Sequence, residues 1–162
     1  MNGLNWDWRT FGELSPATLY AILELRSRIF VVEQNCVFPD MDGLDQDCEH
    51  LCGFQKMNSE FGNAGPEAQE KLIAYLRLIP PGIKSIGPAL GRVVVEKTVR
   101  GTGLGRAIMS EGLRRCAERY PGKSVKVSAQ QHLETFYNNL GFARFGAPYL
   151  EDNIWHIDMA TA

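Results

Sequence analysis

An α+β fold is what this sequence predicts: one mixed central sheet of about six or seven strands with helices on both faces, an α/β/α-like layering. Two observations carry the prediction. Short β-branched or alternating runs are interleaved with apolar stripes at helical spacing, the pattern of a sheet buried against helices. Val93-Val94-Val95 then runs into Arg100-Gly101-Thr102-Gly103-Leu104-Gly105-Arg106 and a long helical stripe, so a strand, a glycine-rich turn and a helix follow one another. The chain has 162 residues, about one domain's worth. It shows no repeat and no linker-like tract, so residues 1–162 read as a single unit.

Trp6 and Trp8 alternate with polar residues and give the first strand. Ser15-Pro16 is an N-cap followed by a proline at the first helical position. The helix it opens is expected to bury Leu19, Ile22, Leu23, Ile29 and Phe30. Arg26 interrupts that stripe, either snorkelling to water or pairing with the acidic loop that follows. The run Asp40 to Glu49 is either a solvated acidic loop or an acidic rim that draws a cationic amine toward a site. It is not an EF-hand, because Gly43 at position six puts Phe38 at position one, where a carboxylate is needed.

Strands two and three are expected at about Glu49–Phe54 and Leu72–Ile79, joined by the insert Met57–Glu70, which is longer and richer in glycine than a plain hairpin needs. Pro80-Pro81-Gly82 breaks the chain. Strand four, about Leu90–Glu96, leads into the glycine-rich turn. The helix after it repeats Ile108, Met109, Gly112, Leu113, Cys116 and Ala117 at helical spacing, and Tyr120-Pro121-Gly122 ends it. A strand at Val125–Ala129, a helix at Leu133–Leu140 and closing strands around Phe142–Phe145 and Trp155–Met159 complete the order. Leu133, Phe136, Tyr137 and Leu140 form one stripe of that helix. Gly141 stands where a left-handed C-cap belongs, with Phe142 placed for the accompanying apolar contact.

Composition excludes several classes. Seventeen Lys and Arg against 19 Asp and Glu give a net charge of −2, with no basic stripe for nucleic acid. No segment approaches the roughly 18 apolar residues of a membrane span. The start, Met1 to Asp7, has neither a basic nor an apolar leader region, so a cytoplasmic protein is expected. Cys48, His50 and Cys52 alternate, but on a strand they span roughly 13 Å, too far for one tetrahedral zinc or a Cys48–Cys52 disulfide. Free thiols and no metal are expected.

The turn Arg100–Arg106 has the chemistry of an anion site. Glycines let backbone N–H groups approach a phosphate, and a helix start adds unpaired donors with partial positive charge. Arg100 and Arg106 can add full charges. A Walker A loop is absent, and a dinucleotide fingerprint fails because Arg106 stands where its third glycine belongs. What fits is Arg-x-x-Gly-x-Gly, at Arg100, Gly103 and Gly105.

That hexapeptide resembles the coenzyme A pyrophosphate loop of the GNAT acetyltransferases. Phe136-Tyr137-Asn138-Asn139-Leu140-Gly141-Phe142 is similar to the helix that closes their cofactor region. The stretch Leu25 to Cys36, followed by Asp40 to Asp45, resembles the ElaA-type branch; its first block is also similar to the acyl-homoserine-lactone synthases. The resemblance implies the GNAT acyltransferase fold, with about four helices and a sheet splayed between strands four and five. It also implies acetyl-CoA as co-substrate, transferred by direct attack of a primary amine, small molecule or protein, in a ternary complex.

On that resemblance Val93, Val94 and Val95 hold the pantetheine, and a backbone N–H near Val94 faces the oxyanion. Arg100, Gly101, Thr102, Gly103, Leu104, Gly105 and Arg106 hold the pyrophosphate, Gln130 and Phe136 also touch the cofactor, and Tyr137 is the acid. The base is left open among Glu33, Glu49, His50, Glu96 or water; Glu96 shares a strand face with Arg92 and can equally be a structural ion pair. An acyl-homoserine-lactone-synthase-like acyltransferase and a non-catalytic CoA-binding module are the alternatives. The oligomeric state, a homodimer included, stays open.

Overall fold

The computed structural model describes residues 3–56 and 70–162; apart from Glu70, the Met57–Glu70 insert lies outside them. Among the described residues seven strands form one sheet: β1 (Leu4–Thr10), β2 (Glu49–Lys56), β3 (Glu70–Ile79), β4 (Ala89–Val95), β5 (Lys126–Gln130), β6 (Phe142–Glu151) and β7 (Ile154–Thr161). Their spatial order is β1-β2-β3-β4-β5-β7-β6. All neighbours are antiparallel except β4 and β5, which run parallel. Among the described residues three α-helices accompany the sheet: α1 (Pro16–Arg26), α2 (Leu104–Arg119) and α3 (Glu134–Asn138).

The N-cap of α1 forms as expected, with the Ser15 hydroxyl accepting from the Thr18 N–H at 3.0 Å. The helix does not stay α-helical to Phe30. After Arg26 it winds on as a π-helix over Ser27–Glu33, whose wider turns re-aim the side chains that follow. Three α-helices and this extension stand where about four helices were expected. The last helix is also shorter than predicted. A 3-10 turn at Gln131–Leu133 leads into α3, and the Leu140 N–H bonds the Tyr137 carbonyl at 2.9 Å, tightening the end. Gly141 then turns the chain at φ +88°, the left-handed conformation the sequence called for.

Alternation along β3 sorts the core into two faces. Ala74, Leu76 and Leu78 join Leu51, Leu90 and Val127 against Ile108, Met109 and Cys116 of α2. Tyr75, with Cys52 and Val94, faces Ile22, Leu25 and Ile29 from the α1 side. Each fully buried aliphatic side chain here contributes about 1.5–3 kcal/mol.

On the α1 side the core gives way to an ionic cluster. Arg26 and Arg77 are both 0% exposed. Arg26 donates to Asp40 (Nε to Oδ2, 2.8 Å) and Asp45 (Nη1 to Oδ1, 2.8 Å). Arg77 donates to both oxygens of Asp42 at 2.7 and 2.6 Å and to Asp45 at 2.7 Å. Arg92 adds a bond to Asp40 at 2.8 Å. Arg26 therefore pairs with the loop rather than snorkelling. The loop, for its part, keeps Met41–Gly43 and Gln46–Asp47 exposed to water, but three of its four aspartates, Asp40, Asp42 and Asp45, are neutralised by Arg26, Arg77 and Arg92 rather than left to attract a cation. Burial works to raise the Asp42 carboxyl, and the Arg77 hydrogen bonds and charge more than reverse it, holding it well below the usual carboxylate range. The cluster pins the loop against β3 and β4, where it forms one wall of the cleft.

Candidate active site

Strands β4 and β5 share one register pair, Ala89 with Lys126, and diverge beyond it. The gap opens into a cavity of about 610 Å³ whose walls include Gly91, Arg92 and Val93 on one side and Ser128, Ala129 and Gln130 on the other. A bulge shapes the β4 wall. Tyr75 pairs with Val94 and Arg77 with Gly91, so Arg92 and Val93 stand opposite the single residue Leu76. Arg92 takes φ +50° there, a conformation costing about 1–3 kcal/mol; its side-chain bonds to Asp40 hold it in place.

At the far end of β4 lies the glycine-rich turn. Gly101 and Gly103 adopt φ +78° and +88°, where a β-carbon would strain the chain. Gly103 caps α2 and supplies no side-chain acceptor, so the first-turn N–H groups point outward without intrahelical partners. The Thr102 hydroxyl is turned back to the Val99 carbonyl at 2.8 Å. The donors and the helix's positive end suit a diphosphate. The two arginines are not free, however. Arg100 grips Glu33 at 2.6 and 3.2 Å and the Val95 carbonyl at 3.1 Å, while Arg106 reaches the Asn139 carbonyl at 3.3 Å.

Along the cleft, Val93 lines the cavity, Val94 turns into the α1 core and Val95 packs toward α2. Gln130 donates to the Gln34 side chain at 3.0 Å, bridging β5 to the π-helical turn. Phe136 meets the Tyr137 ring edge-on at 5.1 Å, and Phe142 does so at 5.7 Å. Tyr137 is 7% exposed, lines the cavity, and has no hydrogen-bond partner among the described residues. Burial alone pushes its phenol up to about 12, so it stays protonated at neutral pH.

Each of the four side chains weighed as a base is already engaged. Glu33 is held by Arg100, and that hydrogen bond lowers its carboxyl. Glu49 is clamped by Arg115 at 2.6 Å and Arg119 at 3.1 Å. His50 uses both ring nitrogens, Nδ1 with the Tyr75 hydroxyl at 2.7 Å and Nε2 with the Asp45 carbonyl at 2.9 Å, and burial pushes it toward the neutral form. Glu96 bonds Arg28 at 2.6 Å and lies 3.5 Å from Lys71, so it is a structural ion pair, though not with Arg92 as its strand face suggested. A titratable group the sequence did not single out, His156 on β7, lines the cavity instead. Its signal was faint: one histidine in the alternating run Trp155-His156-Ile157-Asp158.

A mixed sheet opened between two parallel strands, with an uncapped glycine-turn helix following the first of them, defines an acyl-CoA-dependent transferase of the GNAT class. Residues 55–162 match the acetyltransferase (GNAT) domain, and the chain belongs to this family. Among its relatives, a UPF0039 protein of Synechocystis is 37% identical over 96% of this chain and 94% of its own. Protein ElaA of Escherichia coli is 36% identical over 97% and 95%. The crystal structure of E. coli ElaA superposes with a TM-score of 0.83 at 35% identity, covering 98% of this chain and 99% of that one. An acyl-CoA N-acyltransferase from Pseudomonas aeruginosa gives 0.85 at 36% identity, covering 99% and 100%. The expected fold, splay included, is the observed one, and the ElaA-like character read from Leu25–Cys36 and Asp40–Asp45 extends over nearly the whole chain. Among the described residues no helix is long and apolar enough to cross a membrane.

Proposed function

We propose that the chain, as one catalytic domain over residues 1–162, moves an acetyl group from acetyl-CoA to a primary amine while both substrates are bound. What supports this reading is an α2 start without a side-chain cap, in the turn that follows β4, together with a cavity between β4 and β5 lined by Val93 and Tyr137. Backbone N–H groups from Gly101 to Arg106 grip the diphosphate, with Arg100 and Arg106 as flanking charges. The unpaired edge at Val93–Val95 takes the pantetheine amides in the manner of strand addition, and Gln130 and Phe136 line its path. The co-substrate supplies an activated thioester; the protein supplies position and protons.

A backbone N–H near Val94 receives the charge that develops on the carbonyl oxygen. Tyr137 gives its proton to the departing thiolate, whose conjugate acid has a pKa of about 8.5, well below that of the buried phenol. The same burial raises a thiolate leaving into the cleft, which narrows that gap as the C–S bond breaks. The similar structure from P. aeruginosa is that of an acyl-CoA N-acyltransferase, which supports nitrogen as the acceptor.

The test is release of free thiol from acetyl-CoA with a panel of polyamines, amino acids, aminoglycosides and lysine peptides, run beside longer acyl-CoAs and acyl carrier proteins. Turnover with acetyl-CoA and at least one amine is expected. Exclusive use of a carrier protein, or coenzyme A binding without any transfer, overturns the proposal.

A further inference from the structure

The structure assigns His156 as the base that strips the proton from the incoming ammonium, a role that rests on the amine-acetylation reading above. Position comes first. On β7, His156 pairs in register with Gln130 of β5 and with Tyr149 of β6, which sets its ring on the open, α1-side face of the sheet, in the cavity that Tyr137 also lines. The side chain is 14% exposed, reachable yet shielded.

The tautomer comes next. Nδ1 lies 2.9 Å from the Ile154 carbonyl, and a carbonyl only accepts, so Nδ1 carries the hydrogen and Nε2 keeps its lone pair. Among the described residues Nε2 has no partner. Tyr149 stacks on the ring at 6.0 Å and 25°, fixing its plane. The Tyr149 hydroxyl is itself tied to Ser128 and, at 3.1 Å, to Asp158. Glu151 lies 4.0 Å from Nδ1. The other charged or titratable groups on the cavity are Asp152 beside Glu151 in the β6–β7 turn, Tyr137 on α3, Cys36 and Asp42 on the loop after α1, Arg77 on β3, Lys84 before β4 and Arg92 on β4. Asp42, Arg77 and Arg92 are consumed by the ionic cluster.

The step balances as follows. His156 Nε2 takes one proton from R–NH3⁺, freeing the nitrogen lone pair. That pair forms the C–N bond to the thioester carbon, and the C–S bond breaks. Tyr137 protonates the departing sulfur, and the second nitrogen proton returns to the tyrosinate through water. The imidazolium then releases its proton to solvent. The acceptor class is thus an amine that arrives charged, an alkylamine rather than an aromatic one.

The experiment pairs the best alkylamine from the panel with its analogue bearing a trifluoromethyl group on the amine-bearing carbon, which is uncharged at neutral pH. His156→Gln lowers kcat/KM for the charged amine by about a hundredfold or more and leaves the uncharged analogue nearly at the wild-type rate, with coenzyme A affinity by calorimetry unchanged. Nitrogen-15 NMR of the wild-type imidazole shows the Nδ1-protonated tautomer and needs no variant. Equal losses for both amines, no loss for either, or the opposite tautomer overturns the assignment while leaving acetyl transfer standing. Wild-type protein that binds coenzyme A and acetylates nothing overturns the acetylation reading itself, and the assignment with it.

Discussion

Replacing Arg77 with methionine keeps much of the volume and removes the charge. The substitution deletes three charge-assisted hydrogen bonds of 2.6–2.7 Å to Asp42 and Asp45 and turns a neutral cluster of three arginines and three aspartates into one with an excess carboxylate. Breaking a buried pair by deleting one partner costs 3–5 kcal/mol. Asp42, with its side chain 23% exposed, keeps some water, so the lower end, about 3 kcal/mol, applies. With a urea m-value of about 2 kcal/mol per molar, the unfolding midpoint drops by roughly 1.5 M.

The pH dependence sharpens the test. In the native protein the arginines hold Asp42 and Asp45 below the usual carboxylate range against the effect of burial. Their contribution is therefore present above the unfolded value of about 3.9 and is lost only as pH falls through the lowered native values. In Arg77→Met the unmatched carboxylate rises instead, and protonating it relieves the penalty. The stability gap between the two proteins, read from urea titrations followed by fluorescence, narrows from pH 7 to pH 4. A gap that ignores pH, or one below about 1 kcal/mol at neutrality, refutes the reasoning.

Three further outcomes are expected. Tyr137→Phe lowers turnover by about a hundredfold while calorimetry shows coenzyme A affinity nearly intact; a matching loss of affinity would make the ring a binding surface rather than an acid. Glu33→Gln frees Arg100 from an exposed pair worth about 0.2–1 kcal/mol, so coenzyme A binds up to about fivefold tighter, an advantage that shrinks in salt; weaker binding counts against a phosphate role for Arg100. Gly103→Ala forces a β-carbon into φ +88°, costing about 1–2 kcal/mol, and thermal melts and coenzyme A titration both register the loss.

How much was legible in the chain differs by residue. The Ser15-Pro16 start, the turn at Arg100–Arg106 and the Gly141 ending were readable because each is local: a cap, a glycine turn and a left-handed residue announce themselves within a few positions. The ionic cluster was half visible. Arg26 and the aspartates stood out, but Arg77 sits inside an apolar run, Leu72 to Ile79, and only the antiparallel sheet brings it beneath the loop. The π-helical turn left no trace, since Ser27 to Glu33 carries neither a glycine nor a proline to mark a change of winding. Edge strand β6 runs from Phe142 to Glu151, well past the predicted Phe145, because its exposed residues give no alternation to read. His156 was passed over because its use depends on the Ile154 carbonyl fixing its tautomer and on the β6–β7 hairpin bringing it to the cleft.

The single pair joining β4 to β5 bears on solubility as well as on catalysis. Raw sheet borders invite foreign strands, and most proteins guard them with charge, proline or a covering segment. Here two such borders face each other across a narrow slot, behind the loop after α1 and the β6–β7 hairpin, so a neighbouring molecule has little room to dock. The fold thereby keeps main-chain groups available to a slender guest while denying them to aggregation.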